Sequence, residues 1–119
     1  VRYARAGHDF PLLFSPYTDD CRVLRGRGTV LGCVEDIDLE EVDAELHPGD
    51  LICLYTDGIT DANSTAGELY GLERLREAIC ATDGLSASDA CDFILDSVDR
   101  FQAGTLQYDD MALLVVKLS

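Results

Sequence analysis

The sequence predicts an α+β domain: antiparallel β-sheet covered by two helices. Three observations carry this. Short apolar or alternating runs, punctuated by Gly, Pro and Asp, fill the first half of the chain. Two stretches with helical apolar spacing follow, and a last apolar run, Met111 to Leu118, closes the order strands, two helices, strand.

Val1 to Ala6 alternates and reads as a strand, Gly7-His8-Asp9 as a turn, and Pro11 to Ser15 as a returning strand, so the two are expected to form a hairpin. Cys21 to Leu24 is another short strand, after which Gly26, Gly28 and Gly32 mark a turning segment. Glu41 to Leu46 places Val42, Ala44 and Leu46 on one face, and His47-Pro48-Gly49-Asp50 is a turn. Leu51 to Tyr55 is almost wholly apolar, as expected of a strand buried on both faces, and a polar loop runs on from Thr56-Asp57-Gly58 to Gly67. Leu72, Leu75, Ala78 and Ile79 give a helix ended by Asp83-Gly84. Ser86 or Ser88 caps a second helix, whose stripe of Ala90, Phe93, Ile94, Val98 and Phe101 is expected to be core, with Gly104 as its end. Short turns between strands predict mostly antiparallel neighbours, with both helices on one face.

The 119 residues make one small domain or part of one. Nine Lys and Arg stand against 23 Asp and Glu, a net charge of −14, which opposes binding to nucleic acid or to an anionic membrane. The acidic residues between Glu35 and Asp43 read as a solvated face. No apolar run reaches the length of a membrane span. The five cysteines, Cys21, Cys33, Cys53, Cys80 and Cys91, are odd in number and show no C-x-x-C spacing. A zinc site or disulfide framework is not expected, and reduced thiols suit a cytoplasmic setting.

The chemistry-bearing pattern lies at two strand ends. The Leu51 to Tyr55 strand runs out into Asp57, and the last strand begins just after Asp109-Asp110. If the two strands are antiparallel neighbours, these carboxylates meet at one rim of the sheet although about fifty residues separate them. Clustered carboxylates repel one another, and a hard divalent cation such as Mg²⁺ or Mn²⁺ offsets the repulsion. Successive side chains in extended chain point opposite ways, so only one of Asp109 and Asp110 is expected to bind. Taken alone, Asp-Gly after a strand is more often a plain turn; the joint pattern gives it specificity.

That pattern resembles the metal-dependent type-2C protein phosphatases, in the bacterial branch named for SpoIIE. The run from Gly49 to Ala62 resembles the family's G-D-x-x-x-x-Y-[ST]-D-G-[IV]-x-[DE]-A motif. Ala6-Gly7-His8 to Pro11 is similar to its A-G-H-x-x-P hairpin, Leu31-Gly32 to its L-G turn, Glu68 to Gly71 to its E-x-[FY]-G element, and Tyr108 to Val116 to its D-D-x-[TA]-L-L-V-V finish.

The resemblance implies that Asp57 and Asp109 are metal ligands, Asp109 being favoured over Asp110 because Asn can replace the latter in the family. It implies hydrolysis of phosphoserine or phosphothreonine on a signalling protein, such as an anti-sigma-factor antagonist. Two Mn²⁺ or Mg²⁺ ions about 4 Å apart would hold the attacking water. It further implies that residues 1–119 are the C-terminal portion of a catalytic domain built as two sheets between helix pairs, downstream of a sensory module. The remaining ligands would then lie elsewhere. These residues would be inactive alone, and their exposed edges could dimerise or swap.

A regulatory or interaction module with the same fold and no catalysis is the alternative, and retention of both Asp57 and Asp109 speaks against it. A haloacid-dehalogenase-like reading of Thr56-Asp57-Gly58 fails because that chemistry needs an Asp where Tyr55 stands. No Ser or Cys has a His at motif spacing, so no residue is assigned as a catalytic nucleophile. His8 and His47 read as turn residues, Asp61 and Asn63 as a solvated loop near the site, and Tyr55 and Tyr108 as packing beside it. Gly7, Gly32 and Gly58 read as backbone-geometry positions, with Gly58 also leaving room for a phosphate or water.

Overall fold

The structure, a computed structural model, describes residues 1–105 and 109–119. Tyr108, expected beside the site, lies outside the described residues. The elements in chain order are β1 (Arg2–Ala4), β2 (Leu12–Ser15), β3 (Asp20–Val23), β4 (Glu41–Asp43), β5 (Leu51–Tyr55), α1 (Asp57–Thr60), α2 (Gly71–Cys80), α3 (Ala87–Gln102) and β6 (Leu113–Lys117). Every strand pair is antiparallel, in a four-stranded sheet of order β3-β2-β5-β6 and a ribbon of β1 and β4. The predicted α+β class and antiparallel layering hold.

The expected hairpin between the first two strands does not form. β1 instead pairs with β4, Tyr3 opposite Val42, and the real hairpin joins β2 to β3 through Pro16 to Asp19. Asp19 turns the chain with a left-handed φ of 49°. The polar loop after β5 also begins differently, with one helical turn, α1, before the turn at Asp61.

α2 and α3 pack on one face of the four-stranded sheet. Leu12, Phe14, Leu51, Cys53 and Tyr55 from the strands meet Leu75, Ile79, Ala90, Ile94 and Val98 from the helices. Leu12, Cys53, Leu75, Ile79 and Ile94 are wholly inaccessible to solvent, and burial of each large aliphatic chain contributes roughly 1.5–3 kcal/mol. The α3 stripe needs one correction. Ala90, Ile94 and Val98 repeat every four residues and face the sheet, whereas Phe93 sits to the side and is 40% exposed. Gln102 is buried at the helix end instead. Ser86 caps the start, its Oγ accepting the Asp89 N–H at 3.1 Å. The close is left-handed at Ala103, one residue before Gly104.

On the other face of the sheet a smaller cluster of Leu13, Leu24 and Ala44 gathers Tyr3, Leu46 and Ile52, so the β1–β4 ribbon lies over β2 and part of β5. Ile52 and Leu54 are half-buried, less than burial on both faces requires. Farther along that face Leu114 and Val116 of β6 stay exposed.

Candidate metal centre

β5 and β6 pair over five positions, from Leu51 opposite Lys117 to Tyr55 opposite Leu113. The end of β5 therefore lies beside the approach to β6, as the sequence predicts. Thr56 extends the junction beyond the ladder. Its backbone N–H donates to the Ala112 carbonyl at 3.1 Å, its Oγ1–H donates to the Asp110 carbonyl at 3.1 Å, and the same oxygen accepts the Ala112 N–H at 2.9 Å. This hydroxyl ties the two chain segments together. Sequence reasoning passed over it, although the Ser-or-Thr position of the motif was the available signal.

Gly58 tightens the junction further. A Cβ at this position would run into the Asp110 carbonyl, with the Asp109 carbonyl oxygen 3.4 Å away. The space left by the missing side chain is thus filled by the Asp109–Asp110 backbone, not by the phosphate or water expected there.

The result brings Asp57 and Asp109 side by side. The Asp57 carboxyl is raised above its ordinary value, first by the charge of Asp109, then by partial desolvation, by a side-chain hydrogen bond with Asp109, and by the charges of Asp61 and Asp9. Two carboxyl groups can hydrogen-bond only when a proton lies between them, so positive charge is what this pair lacks. A divalent cation would supply it, and oxygen donors suit Mg²⁺ or Mn²⁺. The donor set fits such an ion. Asp110 is not part of the pair: its N–H donates to Asp109 Oδ1 at 2.8 Å and its carbonyl receives Thr56. The described residues include no group of three or more His, Cys, Asp or Glu side chains placed to hold an ion.

Asp9, just after the β1 turn, was not singled out by sequence reasoning, yet its charge reaches both Asp57 and Tyr55. Its proximity is purely tertiary; the nearest signal was the A-G-H-x-x-P segment that contains it. His8 turns its Nδ1 to the Asp9 carbonyl at 3.0 Å, a local loop contact. Tyr55 is core, its phenol pushed up to about 12 mainly by burial.

Beside the pair opens a cleft of about 510 Å³, bordered by Asp61, Asn63, Leu69, Gln102, Asp109 and Met111. Its outer loop is anchored by Arg74, which donates to the Leu69 carbonyl at 2.7 Å, pairs with Glu68 at 3.1 Å and lies 4.6 Å over the Phe101 ring. Asp61 and Asn63 therefore line the cleft as well as the loop.

The antiparallel α+β layer defines the fold class, and the comparisons with known proteins agree with that fold. The chain belongs to the SpoIIE family: the family model for stage II sporulation protein E matches residues 1–119. It is 33% identical over 118 residues to the phosphoserine phosphatase RsbU of Bacillus subtilis, covering 97% of this chain and 34% of that protein. It is 27% identical over 116 residues to protein IcfG of Synechocystis, covering 98% of this chain and 18% of that one. Among solved structures, the SiaA-PP2C domain of Pseudomonas aeruginosa superposes with a TM-score of 0.77 at 20% identity, over 99% of this chain and 47% of that one. The phosphatase domain of SpoIIE from Bacillus subtilis gives 0.72 at 18% identity, over 99% and 51%. The fold is thus shared with these PP2C domains. The chain spans about a third or less of the curated relatives and about half of the solved domains. No helix among the described residues is long and apolar enough to cross a membrane.

Proposed function

We propose that residues 1–119 form the C-terminal portion of a metal-dependent protein phosphatase domain in which Asp57 and Asp109 are metal ligands. The reaction is hydrolysis of phosphoserine or phosphothreonine on a signalling protein. The observation that carries this reading is the pairing of the Asp57 and Asp109 carboxyl groups at the β5–β6 rim. Likeness to a phosphoserine phosphatase supports the substrate class. Manganese, with which the SpoIIE phosphatase domain was presoaked in one solved form, supports the ion class.

A bound divalent ion would acidify water and offset charge on the phosphoryl oxygens. The protein's own part is positional. β5 and β6 fix the two carboxylates through backbone hydrogen bonds, Thr56 and Gly58 hold the connecting turns in contact, and the neighbouring cleft admits the substrate chain. Two carboxylates are fewer than the six oxygens a Mg²⁺ ion takes, so water and other parts of the whole protein complete its shell. The apolar face left open at Leu114 and Val116 is where the rest of a two-sheet domain would pack.

The test is Mn²⁺ titration of the full-length protein, followed by calorimetry and phosphopeptide turnover. Asp57→Asn and Asp109→Asn are each expected to weaken Mn²⁺ binding and to reduce turnover by 10²-fold or more, on the order seen when one electrostatic partner of the transition state is lost. Unchanged Mn²⁺ affinity in both variants would reject the ligand assignment. Mn²⁺ binding without turnover of any phosphopeptide would favour the regulatory module.

A further inference from the structure

The cleft beside the carboxylate pair has a wall whose chemistry the reaction itself does not require. Leu69 is on its border and is 52% exposed. An exposed leucine is ordinary on a protein surface, but this one is fixed by its backbone. The chain doubles back between Ala62 and Tyr70, with Asn63 and Leu69 bridged antiparallel. The Tyr70 N–H donates to the Ala62 carbonyl at 2.7 Å and the Ser64 N–H to the Glu68 carbonyl at 2.8 Å. Ser64 Oγ accepts the Glu68 N–H at 3.2 Å, and Arg74 holds the Leu69 carbonyl. A pinned backbone thus keeps a large aliphatic side chain out in solvent at the edge of the cleft.

Met111, half-buried against the core, is the other large apolar side chain on the border. The charged members are Asp61 and Asp109, and the described border has no Lys, Arg or His. The cleft therefore offers apolar surface to a ligand and opposes an acidic one. Asp109 belongs both to this border and to the carboxylate pair, so a peptide that brings a phosphoserine to the pair lies against the cleft. In extended chain, side chains two residues apart point the same way and stand roughly 7 Å apart. The residue two positions from the phosphoserine is then directed to the same side, where about 510 Å³ is open.

We infer that Leu69 is a specificity-determining residue, a reading that rests on the phosphatase function proposed above. The cleft takes a large aliphatic side chain, leucine or methionine, from the position two residues before or after the phosphoserine. That side chain packs on Leu69 and Met111. An acidic residue in its place meets Asp61 and is disfavoured.

The test uses the full-length protein with Mn²⁺ and phosphopeptides that differ only in leucine, alanine or glutamate at either of these two positions. Turnover is measured as kcat/KM. Binding is measured by calorimetry with the same peptides carrying a non-hydrolysable phosphonate in place of the phosphoserine. At one of the two positions leucine is expected to exceed alanine about tenfold, the discrimination an apolar pocket gives for lost methylenes, with glutamate below alanine. Leu69→Ala is expected to bring the leucine-to-alanine ratio to about threefold or less, and the ratio cancels any change in overall activity. Leu69→Lys is expected to place glutamate above alanine, and decides alone if Leu69→Ala does not fold. Equal turnover of the leucine and alanine peptides at both positions overturns the inference and leaves the phosphatase function standing. So does a leucine-to-alanine ratio unchanged by Leu69→Ala. Phosphonate binding that discriminates without any turnover supports the cleft and rejects the reaction. Absence of both turnover and discriminating binding rejects both.

Discussion

Replacing Thr56 by valine isolates the positioning of the carboxylate pair from its chemistry. Valine keeps the β-branched shape and the backbone bond to Ala112 but removes Oγ1, which donates to the Asp110 carbonyl at 3.1 Å and accepts the Ala112 N–H at 2.9 Å. Each half-exposed hydrogen bond is worth roughly 0.5–1.5 kcal/mol net, so the loss is about 2 kcal/mol. In a domain of 150–250 residues that lowers Tm by roughly 4–8 °C. If the full amount is felt at the metal site, apparent Mn²⁺ affinity falls by about thirtyfold. Thermal melts of the full-length protein in EDTA give the first number and calorimetric Mn²⁺ titration the second. Thr56→Ser retains both bonds and should restore both readouts. A valine variant equal to wild type in Tm and Mn²⁺ affinity would refute the staple, as would a serine variant as damaged as the valine one.

Gly58→Ala should also loosen the junction. The added methyl meets backbone that cannot swing away, so a loss of about 1–3 kcal/mol with weaker Mn²⁺ binding is expected, read by the same melts and titrations. At high pH the thiols of the core matter. Burial pushes Cys21 and Cys53 up to about 12 from an ordinary 9.0. Their folded values lie above their unfolded ones, so their stabilising contribution is complete below pH 9 and is lost as the pH rises towards 12. At pH 10 the two together cost roughly 2–3 kcal/mol. Urea denaturation at pH 8 and pH 10 measures this, and Cys53→Ala should remove about half of the difference. An equal drop in that variant would assign the effect to other groups.

What the sequence reveals, and what it hides, divides by range. β5, α2, α3 and β6 were legible because periodicity and caps are local: Ser86 caps α3 as its position before an apolar stripe implies. The antiparallel β5–β6 pairing, and with it the meeting of Asp57 and Asp109, followed from one topological assumption. The failures involve tertiary choice. β1 pairs with a strand about forty residues away, and the Gly7-His8-Asp9 turn contains nothing that specifies this. α1 is a single turn, too short for periodicity to register, and Asp-Gly reads as a loop. Phe93 fitted a generous stripe, but the narrow i, i+4 row of Ala90, Ile94 and Val98 decided the packing. Asp9 acts on the site through its charge alone, which no spacing encodes, whereas the motif marked the place of the Thr56 hydroxyl without revealing its partners.

The β5–β6 ladder has a consequence for how this domain can diversify. Both proposed ligands hang from one hydrogen-bonded strand pair, and the connecting excursion leaves and returns at that pair. Their separation is therefore set by backbone registration and depends little on the solvent-facing side chains between residues 61 and 105. New chemistry on the solvent-facing side of α2 and α3 can accumulate without moving one carboxylate relative to the other. A lineage could retune what α2 and α3 present to partners while its metal geometry stays constant.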